Sequence, residues 1–194
     1  GQDKIELPVI MYHSLLKDTK HHGKYVISPT QFESDLQYLQ EHGYTTILVS
    51  DLENYVNGGN LPEKPILLTF DDGYYNNYYY GFPLLQKYNS KAVLAVIGYY
   101  TDIYSQNEEK SAYYSHVTWN EIKEMSDSGL VEINSHTHSH KILSHSQHLQ
   151  NNCLSTHICT NNKSRSAIQL YINRCKNSTT LIQNALHIRM EHTF

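Results

Sequence analysis

The sequence predicts an α/β protein whose strands form a parallel sheet. Through the first 135 residues, short apolar runs of strand length alternate with amphipathic stretches that begin with helix-start signals. Such apolar runs are typical of strands buried on both faces, and strand–helix alternation implies right-handed crossovers. Periodicity leaves an open sheet and a barrel as alternatives. At 194 residues the chain is short for a complete eight-unit barrel, which takes about 250 residues.

Five apolar runs are predicted to be strands. They cover residues 7–11, 45–49, 65–70, 92–97 and 130–134. The alternation fades after about residue 145, beyond which only residues 167–172 and 181–188 are predicted as short helices or strands.

Helix-start and helix-stop residues separate these runs. Ser28, Pro29 and Gln31 predict an N-cap, a first helical position and a capping box. Gly43 ends that helix, whose apolar face is predicted to consist of Phe32, Leu36 and Leu39.

Three further helices are predicted. Ser50 caps a short helix that closes at Gly58 and Gly59, and a helical stretch covers residues 83–88. Thr118 and Glu121 form a second capping box, opening a helix that stops at Gly129.

The composition changes abruptly toward the C-terminus. All nine Gly and all five Pro lie at or before Gly129, whereas all three Cys and all three Arg lie in the last 44 residues. Residues 1–150 carry ten Lys against 18 acidic residues, and the remainder carries five basic residues against one acidic residue. We therefore expect one domain, with residues 1–143 forming the N-terminal part of a catalytic domain and residues 144–194 an atypical tail.

Charge and hydropathy limit the classes of partner. A net charge of −4 gives no electrostatic reason to expect nucleic acid, and no apolar run has the about 18 residues of a membrane span. The chain begins with Gly rather than Met, so we expect that an export signal, if any, has been removed. The absence of Cys from the first 150 residues permits an extracellular or cell-surface location. Cys153, Cys159 and Cys175 match no zinc-binding spacing and are interpreted as free thiols.

Three polar clusters follow predicted strands. Tyr12-His13 follows the first, Asp71-Asp72-Gly73 the third, and the stretch from His136 to His140 the fifth. Sites in parallel α/β proteins form beyond the carboxyl ends of the strands, so these clusters are expected to meet.

The second and third clusters together predict a catalytic metal site. His136 and His140 are four residues apart, and one helical turn would place both imidazoles on one face. Asp72 would complete a set of two histidines and one carboxylate, typical of a catalytic metal with an open position. Asp71 is then the candidate general base, and the backbone N–H of Tyr74 a candidate oxyanion donor.

Each cluster has an alternative interpretation. Asp-Asp-Gly after a strand is a common turn, a histidine-rich stretch is often a polar loop, and His13 is as compatible with a structural role as with substrate binding. The tyrosines at positions 74, 75, 78, 79 and 80 are more often packing or rim residues than a surface for sugar rings. The joint occurrence of two clusters after two apolar strands favours the metal site.

Two motifs resemble the polysaccharide deacetylase domain, carbohydrate esterase family 4. They are TFDDGY at residues 69–74 and SHTHSH at residues 135–140. VIMYHS at residues 9–14 and the stretch at residues 29–44 resemble the branch that contains bacterial poly-N-acetylglucosamine deacetylases. The resemblance covers about residues 7–143.

The resemblance implies an incomplete or distorted (β/α) barrel and a metal-dependent hydrolase that removes N-acetyl groups from polysaccharide containing N-acetylglucosamine. It implies a divalent cation, usually zinc and sometimes cobalt, nickel or manganese, held by Asp72, His136 and His140. It further implies that Asp71 is the catalytic base, that Thr137 steadies the second-motif loop, and that Tyr74 donates to the oxyanion.

The tail departs from the family pattern. The family's later Arg, Asp and Leu-x-Leu-His motifs have no clear counterpart, and His187 lies in LHIRM, which is only faintly similar to the last. Our hypothesis is that residues from about 144 are an out-of-frame or wrongly assigned segment, the alternative being a divergent, poorly ordered C-terminus. Two alternative functions follow, an inactive relative that binds metal and polysaccharide but lacks the general acid, and an esterase for O-acetylated xylan.

Overall fold

The strands and helices follow the predicted alternation. A computed structural model describes residues 5–107, 109–136 and 186–192. The strands are β1 (Ile5–Tyr12), β2 (Ser14–Leu15), β3 (Val26–Ile27), β4 (Thr45–Ile47), β5 (Pro65–Phe70), β6 (Ala92–Val96), β7 (Val131–Ser135) and β8 (Leu186–His192). The helices are α1 (Pro29–Glu41), α2 (Val49–Val56), α3 (Phe82–Lys87), α4 (Gly98–Ser105) and α5 (Trp119–Asp127), with a 3₁₀ turn at Thr19–His21 and a π-helical turn at Asn77–Gly81.

The main sheet is parallel. Among the described residues it has the strand order β7-β6-β5-β1-β8, and β4 also pairs with β5. The register sets Tyr12 opposite Phe70 and Val96 opposite Ser135, so β1, β5, β6 and β7 all end at the same edge. The predicted α/β class with parallel strands is therefore confirmed, and closure into a barrel stays a prediction.

The apolar side chains of β1, β5 and β6 alternate between two hydrophobic clusters. Ile66, Leu68 and Phe70 of β5 enter the larger cluster, which also contains the buried apolar side chains of α1, α3 and α5. Leu67 enters the smaller cluster, with Leu52 of α2. Since burying one such side chain contributes about 1.5–3 kcal/mol, both faces of the sheet stabilise the strand order.

The predicted N-cap and buried face of helix α1 are confirmed. The Ser28 hydroxyl accepts a hydrogen bond from the Gln31 N–H at 2.9 Å, and Phe32, Leu36 and Leu39 are buried. The predicted capping box is wrong, because the Gln31 amide donates to Asp35 at 2.9 Å rather than returning to the Ser28 backbone.

The prediction that Ser50 caps the second helix is also wrong. Helix α2 begins at Val49 after Leu48, and the Leu48 N–H donates to the Asp51 carboxylate at 2.9 Å. Ser50 is already helical and its hydroxyl donates to Glu132 at 2.9 Å. The early helix start also explains why β4 ends at Ile47 rather than at residue 49.

The capping box of the last predicted helix is confirmed. The Thr118 hydroxyl accepts from the Glu121 N–H, and the Thr118 N–H donates to the Glu121 carboxylate at 2.8 Å. The run 65–70 is confirmed without change, whereas the run 130–134 shifts by one residue to Val131–Ser135. The stretch 167–172 lies outside the described residues, and β8 overlaps the predicted stretch 181–188.

Candidate active site

The loop after β5 has an unusual backbone. Asp72 has φ +70° and Gly73 has φ +67°, so two successive residues adopt the left-handed region. A Cβ at Gly73 would lie 3.0 Å from Cγ1 and 3.2 Å from Cα of Val96, the last residue of β6. Glycine is therefore required here both by its dihedral angle and by the close approach of β6.

Three hydrogen bonds fasten this loop to the segment that leads into α5. The Val117 N–H donates to the Gly73 carbonyl at 2.9 Å, and the Tyr75 N–H donates to the Ser115 carbonyl at 2.8 Å. His116 Nδ1 lies 2.9 Å from the Asp72 carbonyl oxygen. The two backbone hydrogen bonds lie on either side of the isolated antiparallel bridge between Tyr74 and His116. The Tyr74 N–H makes neither of these two bonds. That N–H can therefore donate to a ligand.

Two carboxylates and two imidazoles meet at the carboxyl edge of the sheet. Asp71 Oδ2 lies 3.9 Å from His13 Nε2 and 3.8 Å from His136 Nε2. Asp72 Oδ1 lies 3.7 Å from His136 Nε2. These separations exceed a hydrogen bond, and between 17% and 26% of each side chain is exposed, so the group is open to a ligand from solvent.

Most of the predicted site residues come together. Asp71, Asp72, His13 and His136 form this group, and Tyr74 lies on the same loop. His136 follows β7 directly, and its N–H donates to the Val96 carbonyl at 3.0 Å. Thr137 and His140 lie outside the described residues, so the one-turn spacing of the two histidines stays a prediction.

Two of the three proposed metal ligands have a fitting separation. Two atoms bound to one tetrahedral zinc at about 2.0–2.1 Å lie about 3.3 Å apart, close to the 3.7 Å between Asp72 Oδ1 and His136 Nε2. His136 Nδ1 is buried and has no hydrogen-bond partner among the described residues. Among the residues that the structure describes, no set of three or more His, Cys, Asp or Glu side chains is arranged to hold a metal, and His140, the third predicted ligand, lies outside them.

Sequence reasoning missed two buried asparagines that position the site. Asn76 Oδ1 accepts from the Leu15 N–H at 3.0 Å, and its Nδ2 donates to Ser14 Oγ and to the Ala112 carbonyl, both at 2.8 Å. Asn77 Nδ2 donates to the His13 carbonyl at 2.7 Å. A pair of polar residues among tyrosines just after Asp-Asp-Gly was the only signal in the sequence.

His116 was missed as well. It stacks on Tyr74 with ring centroids 4.9 Å apart and on Tyr100 at 4.5 Å. Burial lowers the pKa of His116, opposed by its hydrogen bond to the Asp72 carbonyl. Burial and, as a smaller cause, the negative charge of Asp72 raise the pKa of Tyr74. The ring contacts of His116 thus join the loop to the aromatic side chains of α4.

Comparison with known proteins identifies the family. The profile of the family described as "Polysaccharide deacetylase" matches residues 58–190. The chain is 32% identical over 136 residues to YxkH of Bacillus subtilis strain 168, covering 70% of this chain and 43% of that protein. It is 31% identical over 136 residues to the poly-beta-1,6-N-acetyl-D-glucosamine N-deacetylase of Escherichia coli K12, covering 66% of this chain and 20% of that protein.

A solved structure has the same fold. A de-N-acetylase from Aggregatibacter actinomycetemcomitans superposes with a TM-score of 0.60 at 28% identity, over 93% of this chain and 75% of that one. The chain spans less than half the length of the two sequence relatives above. It belongs to the polysaccharide deacetylase family, a family of hydrolases that is generally metal-dependent.

Proposed function

We propose that this chain is a metal-dependent N-deacetylase acting on polysaccharide that contains N-acetylglucosamine. The observation that carries the proposal is the meeting of Asp71 and Asp72 with His13 and His136 at the carboxyl edge of the sheet. The names of relatives such as the Escherichia coli enzyme support this choice of substrate. A polymer of this kind is extracellular or at the cell surface, which is where we propose that the protein acts. No described helix is both long and apolar enough to cross a membrane.

Each site residue has a proposed role, and the roles of His140 and Thr137 come from the family resemblance. Asp72 and His136 would hold the cation together with His140, and Thr137 would steady the loop that carries His140. When bound, zinc, or cobalt, nickel or manganese in its place, supplies a Lewis acid that polarises the acetamide carbonyl. Asp71 takes a proton from the water that attacks this carbonyl, the Tyr74 N–H donates to the oxygen that becomes negative, and His13 contacts the sugar. The C–N bond then breaks as the leaving nitrogen takes up a proton, which gives acetate and a free amine.

The direct test is acetate release from N-acetylglucosamine oligomers. Protein stripped with a chelator and then supplied with zinc or cobalt is compared with untreated protein. We expect metal-dependent release that Asp71→Asn lowers by about 10²–10⁴-fold, since that is the usual contribution of a general base. Asp127→Asn is the matched control, because Asp127 is an exposed carboxylate paired with Lys123 on α5. Equal rates for Asp71→Asn and the control would refute the assignment of Asp71.

The two alternative functions give different results in the same assay. An inactive relative would bind one cation per chain and release no acetate from either amides or esters. An esterase would release acetate from O-acetylated xylan but not from N-acetylglucosamine oligomers.

The parallel strand β8 sets the backbone of His192 opposite Met11, at the edge where the site lies. A His192→Ala variant compared with His187→Ala tests whether the tail supplies the proton for the leaving amine.

A further inference from the structure

Aromatic rings extend from the loop after β5 to the surface in an unbroken series. Tyr74 stacks on His116, and His116 stacks on Tyr100 with centroids 4.5 Å apart and planes 18° apart. Tyr100 meets Tyr99 edge to face at 5.5 Å. The first members are partly or largely buried, whereas Tyr100 is 40% exposed and Tyr99 54% exposed. The series therefore ends in two open rings beside the site.

The backbone fixes these rings relative to the two carboxylates. Helix α4 begins at Gly98, directly after β6, and Val96 at the end of β6 contacts Gly73 and accepts from the His136 N–H. His116 is held in turn by its hydrogen bond to the Asp72 carbonyl. Tyr100 thus rests on a ring that is attached to the loop carrying Asp71 and Asp72.

We propose that Tyr99 and Tyr100 form a platform on which a neighbouring N-acetylglucosamine unit of the polymer stacks while another unit is deacetylated. This proposal rests on the function proposed above. The platform suits a neutral sugar, because a tyrosine offers a large apolar face with a polar tip and loses little conformational entropy on binding. Since Tyr100 is already backed by His116, little further ordering is needed when a sugar packs against it.

Exposure of tyrosine alone does not define a platform. Tyr38 on α1 is 56% exposed and stacks on His42 with centroids 3.8 Å apart, in the same manner as Tyr100 on His116. His42 Nδ1 donates to the Tyr38 carbonyl of α1, and His42 has no contact with the loop after β5 among the contacts described. Tyr38→Ala is therefore a matched control for Tyr100→Ala.

The test measures binding separately from chemistry. Dissociation constants for β-1,6-linked N-acetylglucosamine, from the monomer to the pentamer, are determined by calorimetry in an Asp71→Asn background with zinc present. We expect Tyr100→Ala to weaken pentamer binding by about 5–10-fold and Tyr99→Ala by about 3-fold, as for the loss of one aromatic contact. The monomer dissociation constants of these two variants should stay within about 2-fold of the Asp71→Asn parent. The pentamer dissociation constants of Tyr100→Phe and Tyr38→Ala should stay within the same range.

The outcomes separate this proposal from the function on which it rests. Weaker binding of pentamer but not of monomer supports the platform, even if the parent chain releases no acetate and the deacetylase proposal fails. Equal pentamer binding by Tyr100→Ala, Tyr99→Ala and Tyr38→Ala overturns the platform, even if acetate is released. A loss that is the same for monomer and pentamer also overturns it, since that result would show a structural effect through His116.

Discussion

Asn76 and Asn77 join the end of β1 to the loop that carries the two carboxylates. Their side chains bond to the backbone of His13 and Leu15 and to the hydroxyl of Ser14, all of which follow β1. Because both asparagines are buried, these bonds replace water at the end of the strand. The position of His13 relative to Asp71 therefore depends on two amide side chains.

We expect Asn77→Asp to destabilise the protein by about 2–3 kcal/mol. The change removes the donor to the His13 carbonyl and sets an oxygen 2.7 Å from it, in a buried place. Urea denaturation measures the free energy of unfolding. Asn57→Asp is the control, because Asn57 Nδ2 donates to the Glu53 carbonyl at a similar 2.8 Å but at the surface. An equal loss in the two variants would contradict the positioning role.

Gly73→Ala tests the close approach of β6 to the loop after β5. A positive φ alone costs a non-glycine residue about 1–2 kcal/mol, and contact with Val96 adds to it. Gly129→Ala is the matched control, because Gly129 has φ +72° and no atom within 4 Å of the added Cβ. We expect the Gly73 variant to unfold at a lower temperature than the control. Indistinguishable unfolding temperatures would show that the loop moves away from Val96 at no cost.

At the scale of elements, the continuous apolar runs were the reliable signal. The run 65–70 is fully predicted by its composition because its residues face two clusters in turn, and both faces need apolar side chains. Helix boundaries depend on single bonds instead. The start of α2 could not be predicted from Ser50, because the choice between Ser50 and Asp51 as the capping side chain depends on Glu132, which is 82 residues away.

The π-helical turn Asn77–Gly81 was not predicted either. It begins where Asn77 is held by His13 and ends where Gly81 lies against Leu15, its Cβ position being 3.2 Å from a Leu15 methyl. Both constraints come from the segment after β1, so the extra residue of the turn has a tertiary cause. The residues adjacent in the sequence therefore do not predict this turn.

One contact of this turn should make stability depend on pH. Tyr78 donates to Glu124 of α5 at 2.7 Å, and this bond, followed by burial, raises the pKa of Tyr78 to about 12. A pKa raised above its unfolded value of about 10 gives a stabilisation that is complete below pH 10 and is lost as the pH rises toward 12. The free energy of unfolding should therefore fall over this interval by more in the parent than in Tyr78→Phe. Parallel curves for the two proteins would exclude the contribution.

At the scale of the whole molecule, the site is assembled from four separate parts of the chain. His13 follows β1, Asp71 and Asp72 follow β5, His116 precedes α5, and His136 follows β7. No one of these segments contains the set, so these side chains come together only when the sheet has formed. We therefore expect the proposed metal binding to be coupled to folding.

We expect zinc to raise the unfolding temperature of the chelator-stripped protein. A cation at about 100 times its dissociation constant stabilises the folded state by about 2.7 kcal/mol if the unfolded chain does not bind it. His136→Ala should abolish most of this shift, whereas His42→Ala, which changes an exposed histidine on the far end of α1, should retain it. A shift that survives in His136→Ala would place the cation elsewhere.

The sequence allowed Asp71, Asp72, His13, Tyr74 and His136 to be proposed because each directly follows an apolar run or lies on the same loop. The parallel register then brings the ends of these runs to one edge. Asn76, Asn77 and His116 could not be found in this way, since each acts through a partner at least 36 residues away. The roles of His140 and Thr137, and the domain boundary at residue 143, stay predictions.

The strained backbone at Asp72 has a consequence for protein engineering. Its φ of +70° is one that glycine adopts freely, and His136, whose Nε2 lies 3.7 Å from Asp72 Oδ1, has its Nδ1 buried without a partner among the described residues. Replacements at these two positions that relax the backbone or remove the unpaired polar atom would raise thermal resistance while deleting a proposed metal ligand. A screen that selects for heat tolerance alone is therefore expected to enrich variants that lack a proposed ligand, and libraries built on this scaffold should hold these two positions constant.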